Sequence, residues 1–514
     1  MIVRHLIFRV RPNLMPSNSS NLSSSAKPSK SAPGERIDAY VWRISAVVIV
    51  GSIMSILDTT IVNVALATLG RELHSSISQI QWVVTGYLLS LAAVIPITGW
   101  AARRFGGKAV YLVSLILFTA GSALCGLATS ATELIVFRVL QGIGGGMILP
   151  IGQLMMAEAA GPKRMGRVMS IVAVPAMLAP VLGPAIGGLI LDNASWRWIF
   201  YVNLPIGLIA IAAALRYLPR LERGPAGKLD VRGLALMATG LPLLTYGLAE
   251  IGITGSFTAT KVLVPGILAV LLLIAFAVNS LHVPRPLLDL RLYRRATFSS
   301  ASFAMFCLAG ALFGGMILLP LYWQGIRHES VLYTGLLTAP QGLGAALVMP
   351  LAGKLSDRWG GGPLALFGVI LTTVTTIPFG LVGAHTSIAG LSVAMLLRGA
   401  GIGFAFMPAM SAAFASLKRS ELSDATPQLN VLQRVGGSIG TALLAVVLQR
   451  ALTGVHTLSG QAAAYGTAFW ASAGLTALAI IPCVILLRAE RAARAARDAD
   501  PDPPAEVPVE AVAV

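Results

Sequence analysis

Asp58 is the side chain best placed for chemistry, because its carboxyl group stands where water is not expected. It lies inside an apolar segment running from about Trp42 to Leu66, long enough to cross a bilayer. An ionisable group at that depth costs at least ~2.5–3.5 kcal/mol, so its presence points to a function. Asp58 follows Arg43 by 15 residues, which sets it ~22 Å from the face where its helix begins. Arg138 follows Glu133 by five residues in a segment that starts at the other face, ~8 Å below that face of a ~30 Å core. The depths agree, and an acid and a base at one level in neighbouring helices are expected to pair. Two roles fit the pair: a static lock between helices, or a carrier of a coupling proton. Burial favours the neutral acid and a guanidinium favours the anion. A carboxyl group balanced between them can exchange a proton, with Arg138 holding the proton-free form. Of the 21 acids, Asp58 alone is expected deep in the membrane; Glu158 comes nearest, at the edge beside Lys163.

Polar and aromatic groups scattered through other apolar segments suit a solute cavity with few polar contacts. The candidates are Asn63, Trp82, Tyr87 and Gln141, then Tyr322, Gln324, Gln341, Asn430, Gln433 and Arg434. For each of them, anchoring at the interface or bonding between helices is the competing role. An aromatic face binds an organic cation, whereas Arg434 suits an acidic solute; Arg398 and Arg434 can also simply bond carbonyls. With one buried carboxylate, neutral or singly charged solutes are expected to be handled better than dications. The three cysteines lie far apart in apolar segments and suggest no metal site or disulfide. All six histidines fall in tails or connections, leaving no buried imidazole relay. Gly436-Gly-Ser-Ile-Gly440 matches a hydrolase elbow, but it lies within a crossing and lacks a buried histidine. An enzyme is therefore not expected, nor is any cofactor.

The elements that hold these residues follow from composition. The chain has 514 residues, 56% hydrophobic and 11% charged, with a mean hydropathy of +0.78. Soluble proteins carry about 25% charged residues, so this is an all-α, polytopic membrane protein. Apolar stretches of about twenty residues or more recur fourteen times, at about 42–66, 79–101, 109–128, 134–158, 167–191, 199–218, 231–249, 260–281, 298–323, 332–355, 363–384, 388–413, 428–450 and 466–488. With the N-terminus inside, inner connections hold about nineteen Lys and Arg and outer ones about five, which predicts that both termini are cytoplasmic. The formal charge of +17 is spread this way rather than over one face, so nucleic acid is not an expected partner.

A repeat divides the chain. Gly99-Trp-Ala-Ala-Arg-Arg-Phe-Gly-Gly107 follows the second crossing and Gly353-Lys-Leu-Ser-Asp-Arg-Trp-Gly-Gly361 the tenth. After each comes an intramembrane arginine with a Gly-Ile-Gly: Arg138 with Gly142–Gly144, and Arg398 with Gly401–Gly403. This predicts a disordered basic tail at 1–41, a six-helix bundle at 42–218, a linker with two inserted helices at 219–297, a second six-helix bundle at 298–488, and a disordered tail at 489–514. Met15 is an alternative start. Duplicated membrane halves suit a transporter whose halves rock around a midplane site.

The sequence resembles the major facilitator superfamily, and within it the fourteen-helix drug:proton antiporter branch (the EmrB/QacA type). Leu57-Asp-Thr-Thr-Ile-Val-Asn-Val-Ala-Leu66 is similar to the branch's first-helix signature. Gly99 to Lys108, Arg138-Val-Leu-Gln-Gly-Ile-Gly144 and Gly183-Pro-Ala-Ile-Gly-Gly188 resemble the loop, fourth-helix and fifth-helix motifs. Trp196-Arg-Trp-Ile-Phe-Tyr-Val-Asn-Leu-Pro-Ile-Gly207 is a further mark. The resemblance implies efflux of amphipathic, often cationic or neutral drugs, driven by inward proton flow across the inner membrane. It makes Gly99, Arg104, Gly106, Gly353, Asp357, Arg358 and Gly360 gating residues. Gly183, Pro184, Gly187 and Gly188 put a bend or a tight contact in the fifth crossing. One departure stands out: Arg103 occupies the place of the usual loop acid, which the second copy keeps as Asp357. The alternatives on the same fold are a proton-coupled importer and an exporter of one metabolite. The inserted helices offer a place for a periplasmic adaptor subunit, though no residue in them specifies one.

Overall fold

A computed structural model describes residues 38–161, 164–219 and 227–499. The expected tails lie mostly outside these residues, as do Lys163, Arg220 and Arg223. The first half comprises α1 (Ala39–Glu72), α2 (Ile77–Val94), α3 (Thr98–Phe105), α4 (Gly107–Leu127), α5 (Ala131–Ala160), α6 (Met165–Asn193), α7 (Trp198–Tyr201) and α8 (Asn203–Tyr217). Next come α9 (Val231–Thr254) and α10 (Thr260–His282). The second half holds α11 (Ala296–Gly325), α12 (Val331–Trp359), α13 (Gly361–Gly380), α14 (Ile388–Ala415), α15 (Leu422–Leu452), α16 (Leu458–Leu478) and α17 (Ile480–Ala499). No strand occurs among the described residues.

Thirteen spans among the described residues are long and apolar enough to cross a membrane. α6, with 29 residues, adds the fifth crossing in chain order. Three crossings are interrupted: α2 runs into α3 through a 3-10 turn at Ile95–Ile97 carrying Pro96, α7 meets α8 at Val202, and α16 meets α17 at Ala479. Helical structure extends beyond the expected bounds at both ends. α1 begins at Ala39, and α17 continues to Ala499 rather than ending at 488. Glu490 explains the second extension, because its carboxylate accepts the Gly361 and Gly362 amides (3.1 and 2.8 Å) at the start of α13.

Five crossings start with a serine or threonine cap on the same side of the molecule. Ser76, Ser130, Ser330, Ser387 and Thr457 each accept a backbone amide three residues on. Such caps satisfy donors that the helix itself leaves open. At the other side, Gly106 and Gly360 end α3 and α12 with φ of 89° and 93°. These matched positions give the repeat a conformational basis, since side-chain-bearing residues rarely adopt that backbone. Replacing Gly106 by alanine should cost about 1–3 kcal/mol, visible as a lower thermal midpoint of the detergent-solubilised protein.

α1 packs against α5, α6 and α8, α2 against α5, and α4 against α5 and α8. In the second half α11 packs on α15, α14 on α12 and α13, and α16 on α13 and α15. The halves meet where α6 lies along α12 and where α15 reaches α3 and α5. The inserted α9 and α10 pair with each other, and α9 rests on both α2 and α15. Lipid is as apolar as leucine, so close helix contact must come from small residues. Gly310 and Gly440 let α11 and α15 touch backbone to backbone, and Gly399 does the same for α14 against the Gln341 carbonyl on α12.

Candidate functional site

Four elements of the first half converge on Asp58. Its side chain is fully buried. Oδ2 accepts from Arg138 Nη1 at 2.5 Å, and Oδ1 accepts from Gln141 Nε2 at 2.9 Å and Asn203 Nδ2 at 3.0 Å. α1 supplies the acid, α5 supplies Arg138 and Gln141 one turn apart, and α8 supplies Asn203 in its first turn. Arg138, equally buried, also donates to Gln141 Oε1 (2.8 Å) and, through Nε, to the Val83 carbonyl on α2 (3.1 Å). Its guanidinium carbon stands 4.0 Å from the centre of the Tyr87 ring, and its Nη2 has no acceptor. Such stacking on an aromatic face partly replaces the missing bond. Asn203 is braced in turn: it donates to Ser122, which donates to the Phe200 carbonyl. Asn203 is not among the expected site residues, although it belongs to the Trp196–Gly207 string.

Arg398 holds the matching place in the second half, but no acid among the described residues meets it. It is buried and donates to Gln341 Oε1 (2.7 Å), Thr376 Oγ1 (3.2 Å) and the Ala311 carbonyl (3.3 Å). Gly315 on α11 faces it as Asp58 on α1 faces Arg138: a Cβ there would fall 2.6 Å from Arg398 Nη2. The halves therefore share an arginine and differ in the carboxylate.

The other residues expected to line a solute cavity are variously engaged. Gln141 and Gln341 hold the two arginines. Asn430 donates to Gln153 on α5 (2.7 Å), tying the halves together. Tyr87 lies beneath Arg138, with its hydroxyl 3.4 Å from Ser55. Tyr322 is buried and donates to the Gly383 carbonyl (2.7 Å), a packing role. Trp82 points away from Asp58. It stacks on Tyr246 of α9 and, with Pro242 and Leu243, lines an apolar cavity of about 410 Å³ between α2 and α9. Asn63 is exposed and bonds the Thr59 carbonyl of its own helix. Gln324 is exposed near the end of α11, while Gln433 and Arg434 are partly buried.

The loop motifs lie where the halves touch. Asp357 accepts the Gly166 amide at 2.9 Å, and the Arg167 amide and Nε at 3.4 Å. A carboxylate thus sits at the positive N-terminus of α6. Across the pseudo-repeat the polarity is reversed: Arg103 Nη1 donates to Asp424 Oδ1 at 2.6 Å and Ser423 Oγ at 2.7 Å. The acid of this contact stands in the first turn of α15 itself. Where the second half presents the acid Asp357 to the first, the first presents the base Arg103 to the second. Gly99 and Gly353 allow it, since a Cβ on either would strike the Ser423 or Gly166 carbonyl of the other half. Arg104 and Arg358 are exposed. On α6, a Cβ on Gly183 would meet the Thr60 hydroxyl of α1, and one on Gly187 would touch Ile61, whereas one on Gly188 would meet nothing. α6 therefore lies against α1 within a turn of Asp58, with Pro184 in the same helix.

A family model described as Major Facilitator Superfamily matches residues 48–441. A Mycobacterium tuberculosis protein named multidrug resistance protein B homolog is 39% identical over 417 residues, 80% of this chain and 77% of that one. The multidrug export protein EmrB of Haemophilus influenzae is 32% identical over 398 residues, 76% of this chain and 77% of its own. Among solved structures, the proton:xylose symporter XylE superposes with a TM-score of 0.62 at 15% identity, covering 87% of this chain and 95% of that one. At that identity the likeness concerns the fold.

Proposed function

The chain belongs to the major facilitator superfamily, and we propose that it exports small amphipathic compounds across the inner membrane in exchange for protons. It is a multi-pass membrane transporter, not an enzyme. The observation that carries the coupling is the Asp58 carboxylate, fully buried and held by Arg138, Gln141 and Asn203. Export is supported by the multidrug names of relatives that are 39% and 32% identical.

In this reading both termini and the loop-motif end face the cytoplasm. Side-chain bonds that join the halves, among them Arg103 to Asp424, Asp357 to Gly166 and Asn430 to Gln153, then close the inner side. A proton from outside neutralises Asp58 and frees Arg138 from its charged partner. The halves rock, the proton leaves inside, and Arg138 again holds the carboxylate. Solute loads on the inner side and leaves on the outer one. The gradient supplies the energy, and no cofactor enters the cycle.

Membrane vesicles decide the direction. Everted vesicles acidified internally should accumulate an amphipathic dye and lose it on adding a protonophore. Accumulation only in right-side-out vesicles would replace export with proton-coupled import.

A further inference from the structure

The resemblance implies cationic or neutral solutes, but the charges at the centre of the molecule point the other way. Arg434 lies 12 residues into α15 and six residues inside the crossing expected at 428–450, so ~9 Å from the face where that crossing starts. Its side chain is partly buried, and among the described residues it makes no hydrogen bond or ion pair. The neighbouring Gln433 is also partly buried and unbonded. Asn430, one turn earlier on the same face of α15, donates to Gln153 of α5, so this face of the helix, with Arg434, is turned to the first half.

Among the described residues no acid pairs with Arg434. Asp58 is taken by Arg138, and Asp424, ten residues back on the same helix, is taken by Arg103. Arg398 adds a second guanidinium with neutral partners only. Among the described residues, three intramembrane guanidinium groups, Arg138, Arg398 and Arg434, thus answer to one intramembrane carboxylate, leaving a formal surplus of two positive charges. An intramembrane cation without a partner marks a substrate pathway, and a guanidinium fork matches a carboxylate in shape and charge. Because Asp58 is compensated by Arg138, it does not present a bare negative charge to an incoming anion. The inside-negative membrane potential also drives an anion outward.

We infer that Arg434, with Gln433 beside it, receives the acidic head group of an amphipathic monoanion, typified by an aryl carboxylate. The solutes exported are then organic acids rather than organic cations. This rests on the transport reading, and the test separates the two. The full-length protein in nanodiscs is titrated with naphthaleneacetate, its neutral amide and naphthylmethylammonium, and the same three compounds are followed into proteoliposomes. The wild type should prefer the acid over the amide and the ammonium by about tenfold, the size of one good charged contact. In Arg434→Gln the preference for acid over amide should collapse, and Arg434→Lys should restore part of it. A wild type that favours the ammonium, or an Arg434→Gln protein that keeps the acid preference, overturns the assignment. If none of the three compounds is transported, the export reading falls, while the binding titration alone still decides the role of Arg434.

Discussion

Asp58→Asn should abolish transport driven by a pH gradient while leaving the protein inserted and folded. Asparagine has nearly the same shape and can accept from Arg138 through its oxygen, while its NH2 takes the place of the Oδ1 that accepts from Gln141 and Asn203 and so requires one of those amides to turn over; the helices stay in contact. It cannot release a proton, and the cycle loses its coupled ion. The structural cost is that Arg138 keeps only neutral partners. Removing one member of a buried pair costs about 3–5 kcal/mol when nothing replaces it. Arg398 shows that this fold holds a buried guanidinium on an amide, a hydroxyl and a carbonyl. The side-chain amide introduced by Asp58→Asn and the ring of Tyr87 would give Arg138 a comparable set. Solute exchange without a gradient should therefore survive in this variant, and a pH-sensitive dye in proteoliposomes should report no solute-dependent proton movement. Asp58→Glu tests the same point from the other side. It keeps a titratable group but adds a methylene to a closed site, where overpacking costs about 1–3 kcal/mol, so slowed but proton-linked transport is expected. Undiminished gradient-driven transport in Asp58→Asn would end the assignment and leave the pair as a lock between helices.

Depth is legible in the sequence; direction around each helix is not. Counting residues from the ends of two crossings puts Asp58 and Arg138 at one level, and their carboxylate and guanidinium do meet. The same count applied to Trp198 and Asn203 sets Asn203 about five residues inside its crossing, at the depth of Arg138. That signal does not single out Asn203, because nothing in the sequence says that crossings one and six are neighbours. The direction of Trp82 is illegible for a different reason. Membrane helices here are apolar on nearly every face, so no stripe shows which side of α2 meets the protein centre. Trp82 and Tyr87 are five residues apart, yet one stacks on the inserted α9 and the other lies under Arg138. The repeat, by contrast, is plain, because Gly106 and Gly360 share a backbone conformation that constrains residue type. What breaks the repeat is also visible as a departure, Arg103 in place of an acid, but its partner Asp424 lies 321 residues away and no local pattern connects them.

That reversed contact makes a strong prediction about the transport cycle. Arg103→Asp alone should slow turnover, because it sets two carboxylates face to face where the halves close. The two side chains are about one-fifth exposed, at 20% and 23%, so the pair lies between a surface ion pair and a buried one. Exposed pairs contribute about 0.2–1 kcal/mol, and turning attraction into repulsion roughly doubles the effect. A loss of about 0.4–2 kcal/mol from the closed state lowers its population relative to the open one by a factor of about 2–30. Asp424→Arg should do comparable damage, with an added cost of about 0.3–1 kcal/mol for a cation in the first turn of α15. Combining the two changes restores opposite charges across the contact. The double variant should therefore run faster than either single one, short of the wild type by the helix-end penalty. Turnover in proteoliposomes gives the coupling energy directly as a double-mutant cycle. Distances between spin labels on α3 and α15 should show the closed population falling in the singles and recovering in the pair. Raising the salt concentration should narrow all the differences, because partly exposed charges are screened. If the effects of the two changes simply add, Arg103 and Asp424 are neighbours without a shared role, and closure depends on the Asp357 contact and the glycine approaches alone.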